Sequence, residues 1–210
     1  MNARLVPVFA SALLAGGCHV LESSVPTPET YRLWPAASAA ARADATVPLA
    51  ITVARPRTSA ALDSDRIAVA PAPSRFDHYA DVRWAEPAPQ MLQQNLVAAL
   101  ESSGRFAGVF AAPARVPAEL LLDVELRHFE AVATEAGATP VAHVQLQVSL
   151  VDSRRVVRVT SFVSEARVPA AHNRRGAIVA AFERASAQVV ADVVERIGRA
   201  AAGLEAAPPE

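Results

Sequence analysis

The sequence predicts an α/β fold, in which a mixed, largely antiparallel sheet with a three-stranded meander carries two main helices. Three segments with a two-residue apolar period follow one another in the second half of the chain. Two segments with a helical apolar period flank them, one before the meander and one after it. Because a sheet with one apolar face must bury that face, we expect both helices to pack on it.

The meander is the clearest strand signal in the chain. In residues 120–127 and 141–152, Leu and Val alternate with polar side chains, so each segment has one apolar and one polar face. A third segment, Arg155 to Val168, follows a short turn at Asp152 to Arg154. Shorter apolar segments predict further strands at residues 31–34, 49–53, 66–69 and 106–110.

Both helices carry start or stop signals. The first is predicted to begin after Pro87 and to end at Gly104. The second is predicted to begin near Asn173, as its N-cap, and to end at about Ala201. Its apolar stripe consists of Ile178, Phe182, Ala185, Val189, Val193 and Ile197.

The first residues have the layout of an export signal. Arg4 precedes an apolar run from Leu5 to Leu14, and small residues then lead to Cys18, the single cysteine. An apolar run of about ten residues is too short to cross a bilayer as a helix. Residues 1–17 are therefore predicted to be a signal peptide.

The segment from Leu14 to Cys18 resembles the lipobox of bacterial lipoproteins, in which the cysteine is acylated and becomes the first mature residue. Apart from this covalent lipid on Cys18, no cofactor is expected. The alternative is an ordinary signal peptide cut near Gly17, which leaves Cys18 as a free thiol. His19 stands where inner-membrane lipoproteins typically carry Asp, so the resemblance implies the outer membrane.

The rest of the chain divides by composition. Residues 18–48 are Pro-broken and Ala-rich, and we predict a lipidated cysteine followed by a flexible tether. Residues 49–201 hold the periodic segments and are predicted to form one folded domain. Residues 202–210 are predicted to be a disordered tail.

Composition and motifs argue against several function classes. The net charge of −1 gives no electrostatic case for nucleic-acid binding. None of the five histidines has metal-ligand spacing, and His128 and His143 are interpreted as surface or edge residues of strands. No G-x-S-x-G motif is present, so we expect neither a metal site nor an enzyme.

Two exposed segments are candidates for contact with a partner. Residues 71–81 are predicted to form a Pro-flanked loop that presents Phe76 and Tyr79, although a loop packed on the domain is equally compatible with the sequence. Arg174 and Arg175, at the start of the second helix, oppose its dipole and favour an acidic partner or headgroup. The alternative is that both are solvated charges.

Trp84 has two interpretations. A large aromatic residue just before a helix typically packs in the core and fixes the direction in which the chain enters the helix. The alternative is that Trp84 contacts a partner, and we include it among the candidate contact residues.

Four motifs resemble those of the ABC-type transport auxiliary lipoproteins, which accompany MCE-type lipid transporters. They occur in the family's order: the lipobox-like Leu14 to Cys18, then Tyr31-Arg32-Leu33, then Leu62 to Ile67, and finally Arg83-Trp84-Ala85-Glu86-Pro87. The last motif is the most specific of the four.

This resemblance implies a non-enzymatic lipoprotein on the periplasmic face of the outer membrane. Its implied partner is the MCE-domain protein of a phospholipid transport complex, and its implied role is to dock that assembly, with self-association as a further expectation. The transporter's ATPase is expected to be a separate protein, because no Gly-rich phosphate loop is present. The alternative function is a stand-alone periplasmic envelope-assembly or inhibitor lipoprotein without an MCE partner.

Overall fold

The structure, a computed structural model, describes residues 27–33, 46–72, 74–133 and 138–205. The predicted signal peptide, Cys18, most of the predicted tether and residues 206–210 lie outside the described residues. The strands are β1 (Glu29–Tyr31), β2 (Val47–Val53), β3 (Arg66–Ala72), β4 (Arg75–Trp84), β5 (Phe106–Ala111), β6 (Leu120–Val132), β7 (Val141–Asp152) and β8 (Val157–Pro169). The helices are α1 (Ala88–Ser103) and α2 (Arg175–Glu205).

The eight strands form one mixed sheet around β6. Along one edge, β6 pairs in parallel with β2 near its start and with β3 near its end. Along the other edge it pairs with β7, which in turn pairs with β8, and both pairings are antiparallel. The predicted fold class and its three-stranded meander are therefore confirmed. Beyond this centre, β5 extends β2 in parallel, β4 pairs antiparallel with β3, and β1 pairs in parallel with β4.

The two helices cover the apolar face of the sheet. All six residues of the predicted α2 stripe are buried, which confirms that stripe as the face that packs on the sheet. Helix α1 ends at Gly104, whose φ of 61° is the left-handed conformation that glycine adopts without steric cost. The predicted stop signal is therefore confirmed as well.

The ends of several elements differ from their predicted positions. Both β1 and the start of β2 lie before Leu49, inside the segment predicted as a tether. They form strands because β1 finds a partner in β4 and β2 finds partners in β5 and β6. Helix α2 begins at Arg175 and continues to Glu205, so it includes the first residues of the predicted tail.

The prediction of a loop at residues 71–81 is wrong, because residues 71–72 belong to β3 and residues 75–81 to β4, and these two strands pair with each other. Proline normally interrupts a sheet because it has no N–H to donate. Pro71 is tolerated because it follows Ala70, the last β3 residue that pairs with β6. The parallel ladder therefore loses no hydrogen bond at this proline.

An irregularity in β6 changes which residues face the helices. The pairing of β6 with β7 shifts register between Leu126 and His128. Before this bulge the even-numbered residues through Leu126 are buried under the helices, and after it Phe129 and Ala131 take that position. His128 and Glu130 consequently lie on the polar face of the sheet.

Candidate partner-contact surface

A groove opens where the start of α2 meets β1 and β4. Its volume is about 470 Å³, and its lining includes Tyr79 of β4 together with Asn173, Arg174 and Arg175 at the start of α2. We call it the α2 groove. The tertiary fold creates it, since β4 and the start of α2 are more than ninety positions apart in sequence.

Arg175 forms one wall of the α2 groove. Its guanidinium lies 3.2 Å from the carboxylate of Asp81 and 3.8 Å from that of Glu29. Asp81 has a φ of 58°, a left-handed conformation that Asp tolerates better than most residues. Exposed ion pairs of this kind contribute about 0 to 1 kcal/mol each. Arg175 is therefore largely neutralised by its neighbours, and its charge is not the main electrostatic feature of the groove.

Arg174 and two tyrosines supply the groove's other chemistry. The side chain of Arg174 is exposed and makes no hydrogen bond or ion pair with any residue that the structure describes. Burial raises the pKa of the Tyr79 hydroxyl. Tyr31 donates a hydrogen bond of 2.8 Å to Glu29, and this bond raises the pKa of Tyr31. The groove thus combines a cation with neutral phenols, which suits an acidic protein surface.

The structure brings together three of the five predicted contact residues. Tyr79, Arg174 and Arg175 share the α2 groove, whereas Phe76 lies nearer the tip of the β3–β4 hairpin. Phe76 is 42% exposed and packs edge-on against His78, with ring centroids 5.5 Å apart. It lines a second cavity, of about 440 Å³, that also reaches the polar face of the sheet.

Trp84 is a core residue, and its interpretation as a contact residue is corrected. Only 1% of it is exposed. Its ring lies 5.4 Å from that of Phe182 in α2 and 5.7 Å from that of Phe129 in β6. Trp84 therefore joins the end of β4 to both the sheet and α2, and a partner has no access to it.

A cluster of histidines and carboxylates, which no sequence pattern revealed, lies on the polar face of the meander. Nδ1 of His128 is 2.7 Å from Oε1 of Glu130, and Nδ1 of His143 is 3.5 Å from the same oxygen. Nε2 of His143 lies 3.0 Å from Glu165 of β8. We call His128, Glu130, His143 and Glu165 the His–Glu cluster. His143 is 4% exposed, so its predicted position at a surface or edge is wrong.

The cluster holds its carboxylates in the charged form. Burial raises the pKa of Glu130, but hydrogen bonds from His143, from His128 and from the Phe129 N–H outweigh burial and bring the pKa below its ordinary value. Hydrogen bonds first from Arg167 and then from Gln145 lower the pKa of Glu165 to about 2. Two negative charges therefore lie beside two imidazole rings.

Register explains why sequence patterns did not reveal this cluster. The antiparallel pairing places Glu130 opposite His143, and His143 opposite Arg167. The bulge after Leu126 turns both His128 and Glu130 to this polar face. A signal was present in the two polar residues His128 and Glu130 on either side of Phe129, but the partner strand and its register had to be known before this signal could be used.

The architecture defines the general class of this protein. It is an α/β domain with one mixed sheet, two helices on the apolar face, and a polar face and groove that solvent reaches. Within the described residues, no helix has both the length and the apolar character needed to span a membrane.

Residues 31–194 match the family model of the ABC-type transport auxiliary lipoprotein component. The chain belongs to this family, as its four ordered motifs predicted. The family's description refers to transport and to a lipoprotein, and it names no enzymatic activity. Membership in a lipoprotein family places the protein at a membrane of the cell envelope. No curated protein matches the sequence.

Solved structures share the fold. Protein XCC0632 from Xanthomonas campestris, of the family DUF330, is 27% identical with a TM-score of 0.73, and the match covers 88% of this chain and 97% of that one. An uncharacterised protein is 16% identical with a TM-score of 0.61, over 82% of this chain and 99% of that one. At 16% identity, the match to this uncharacterised protein shows a shared fold only.

Proposed function

We propose that this protein is the non-enzymatic outer-membrane lipoprotein of an ABC/MCE-type lipid transport system, and that it docks the periplasmic MCE assembly. The observation that carries the proposal is the family match over residues 31–194. An acylated Cys18 anchors the protein at the periplasmic face, and residues 19–26, which precede the first described residues, connect this anchor to the domain.

The α2 groove is the proposed docking surface. Arg174 presents a cation without a partner among the described residues, and Tyr79 presents an amphipathic ring beside it. Aromatic residues and arginine are enriched in protein interfaces because they bury a large area and form directional hydrogen bonds. An acidic segment of the MCE-domain protein is the expected occupant.

The test is photo-crosslinking in intact cells, because the chain contains no lysine and amine-reactive crosslinkers do not label it within the domain. A photoreactive amino acid replaces Asn173 in the α2 groove, and a matched variant carries it in place of Arg155. Arg155 is exposed and lines a cavity beside Leu204, near the far end of α2. A helix of 31 residues is about 46 Å long, so the two probes report on opposite ends of the domain.

We expect the probe at Asn173 to capture the MCE-domain protein and the probe at Arg155 to capture none. The substitution Arg174→Glu should lower the yield at Asn173 about ten-fold, which corresponds to a loss of about 1.4 kcal/mol. A glutamate near a helix N-terminus interacts favourably with the helix dipole, so Arg174→Glu should not unfold the domain. A lower crosslinking yield therefore reports weaker binding. Arg155→Glu is the charge-matched control.

Capture of no MCE-domain protein at either position would contradict the docking role and favour a stand-alone envelope lipoprotein. Capture at Arg155 alone would retain the docking role and move its surface to the other end of α2. Crosslinks between copies of this chain would report self-association in the same experiment.

A further inference from the structure

The His–Glu cluster on the polar face of the meander offers metal-binding donors that converge. One ligand atom from each of His128, Glu130 and His143 lies within 4.8 Å of the other two. We propose that these three residues bind a divalent transition-metal ion, with Zn²⁺ as the best match. Two imidazole nitrogens and a carboxylate oxygen are the donors of many three-residue zinc sites.

The pair Glu130–His143 already has the donor spacing that a tetrahedral zinc ion requires. Zinc bonds to nitrogen and oxygen are about 2.0 to 2.2 Å long, which places ligand atoms about 3.4 Å apart. Oε1 of Glu130 and Nδ1 of His143 are 3.5 Å apart. Oε1 of Glu130 and Nδ1 of His128 are 2.7 Å apart, so His128 must move away from Glu130 to complete the set.

Neighbouring residues already orient the two buried ligands. Glu165 lies 3.0 Å from Nε2 of His143, and Arg167 holds Glu165 in turn at 2.7 Å. A carboxylate that accepts the outer N–H of a histidine is the usual support of a metal-binding imidazole. The second oxygen of Glu130 accepts a hydrogen bond of 2.7 Å from the Phe129 N–H. The backbone thus fixes Glu130, and Glu165 fixes His143.

The two ring nitrogens of His143 have different roles in the proposed site. Nε2 donates to Glu165, and Nδ1, which lies 3.5 Å from Oε1 of Glu130, is the nitrogen that binds the ion. The ion then replaces the hydrogen bond that His143 makes to Glu130 in its absence. Both residues are at least 94% buried, so water competes little for their ligand atoms.

His128 provides access to the site. Its side chain is 44% exposed, and together with Glu130 it lines the cavity of about 440 Å³. Its ring stacks on that of His143 with centroids 4.2 Å apart and a tilt of 19°. Because a metal binds in the plane of an imidazole ring, His128 must turn into the cavity when the ion enters. A water molecule from the cavity supplies the fourth ligand.

Two arginines also line this cavity, but acidic neighbours engage both. Arg75 lies 3.6 Å from Asp77, and Arg127 lies 3.4 Å from Glu125. These ion pairs partly offset the two positive charges. The two arginines lower the affinity of the site for a cation without blocking it.

The test measures Zn²⁺ binding to the full-length, chelator-stripped protein in detergent by isothermal titration calorimetry. We expect one Zn²⁺ per chain. His128→Gln and His143→Gln should each weaken binding at least ten-fold. Glu165→Gln should weaken it about 10- to 100-fold, although Glu165 does not touch the ion.

His172→Gln is the matched control, since His172 is exposed and lies outside the cluster. Thermal unfolding without metal checks that every variant is folded, and His128→Gln, at the exposed ligand, is the variant expected to fold like the unmodified protein. Failure of the unmodified protein to bind Zn²⁺ would overturn the proposal. Equal binding by His172→Gln and His128→Gln would also overturn it, because the ion would then bind elsewhere.

Discussion

At the scale of single residues, Glu119 joins three separate segments of the chain. Its carboxylate accepts a hydrogen bond of 2.8 Å from the backbone N–H of Ala50 in β2, and a second of 2.6 Å from Arg154 in the β7–β8 turn. The bond from Ala50 is the main cause of its lowered pKa, and Arg154 adds to it. Glu119 therefore stabilises the fold only in its charged form.

We predict that Glu119→Gln lowers the thermal midpoint at pH 7 and that this difference disappears in acid. A carboxyl group whose pKa is lower when folded contributes stability above its unfolded pKa, here 4.5, and loses it as the pH falls through the folded pKa. Thermal melts of both proteins between pH 7 and pH 2 measure the effect.

Glu101→Gln is the control for this prediction, because Glu101 is exposed near the end of α1. It should change the thermal midpoint little at any pH. If the thermal midpoint of Glu119→Gln stays lower by the same amount in acid, the loss comes from the geometry of the introduced amide and not from the missing charge.

At the scale of elements, α2 attaches to the edge strand β8 by polar contacts as well as by its apolar stripe. Ser164 donates a hydrogen bond of 2.6 Å to Asp192. The guanidinium of Arg196 lies 3.7 Å from the centroid of the Phe162 ring and donates to the Val163 carbonyl at 3.2 Å. These contacts shield the outer side of the last pairing in the meander.

We predict that Arg196→Ala lowers the free energy of unfolding by about 1 to 2 kcal/mol. The loss combines a cation–π contact of about 0.5 to 1 kcal/mol with a hydrogen bond of about 1 kcal/mol. Urea unfolding followed by circular dichroism measures it.

Arg199→Ala is a matched control on the same helix. Arg199 is 67% exposed and pairs only with Glu195 among the residues that the structure describes, so its removal should cost about 0.3 to 0.5 kcal/mol. Equal losses in the two variants would show that Arg196 contributes no more than an exposed helix charge.

At the scale of the whole molecule, the proposed anchor precedes the part of the chain that the family model matches. Cys18 lies outside the described residues, and the family match begins at residue 31. Acyl chains contribute about 0.8 kcal/mol per buried methylene, and two or more chains give stable attachment to a bilayer. The domain is expected to fold in the same way with or without its lipid.

We predict that Cys18→Ser abolishes incorporation of labelled fatty acid and moves the protein from the membrane fraction to the soluble fraction. The thermal midpoint of the domain should not change, because the family match that defines the domain begins at residue 31, after the predicted anchor. Density-gradient fractionation of cells that express the unmodified protein measures whether the anchor lies in the outer membrane. An unmodified thiol at Cys18 that reacts with maleimide would instead support an ordinary signal peptide.

The sequence by itself determined the elements whose apolar periods are long. The meander followed from residues 120–127, 141–152 and 155–168, and α2 with its buried stripe followed from the helical period after Asn173. Gly104 marked the end of α1 by its own conformational freedom. These features depend on residues close together in sequence, and a local pattern therefore predicts them. The four ordered motifs likewise identified the family.

Only the tertiary structure decided how these elements meet. Strand β1 is three residues long and becomes a strand because β4 lies beside it, while Pro71 is accommodated because its parallel ladder has already ended. The α2 groove joins Tyr79 to Arg174, and the His–Glu cluster depends on a bulge and on the register of β7 against β6. Both sites are formed by contacts between distant segments, and pairing and register are set by packing of the whole sheet, which no local period encodes.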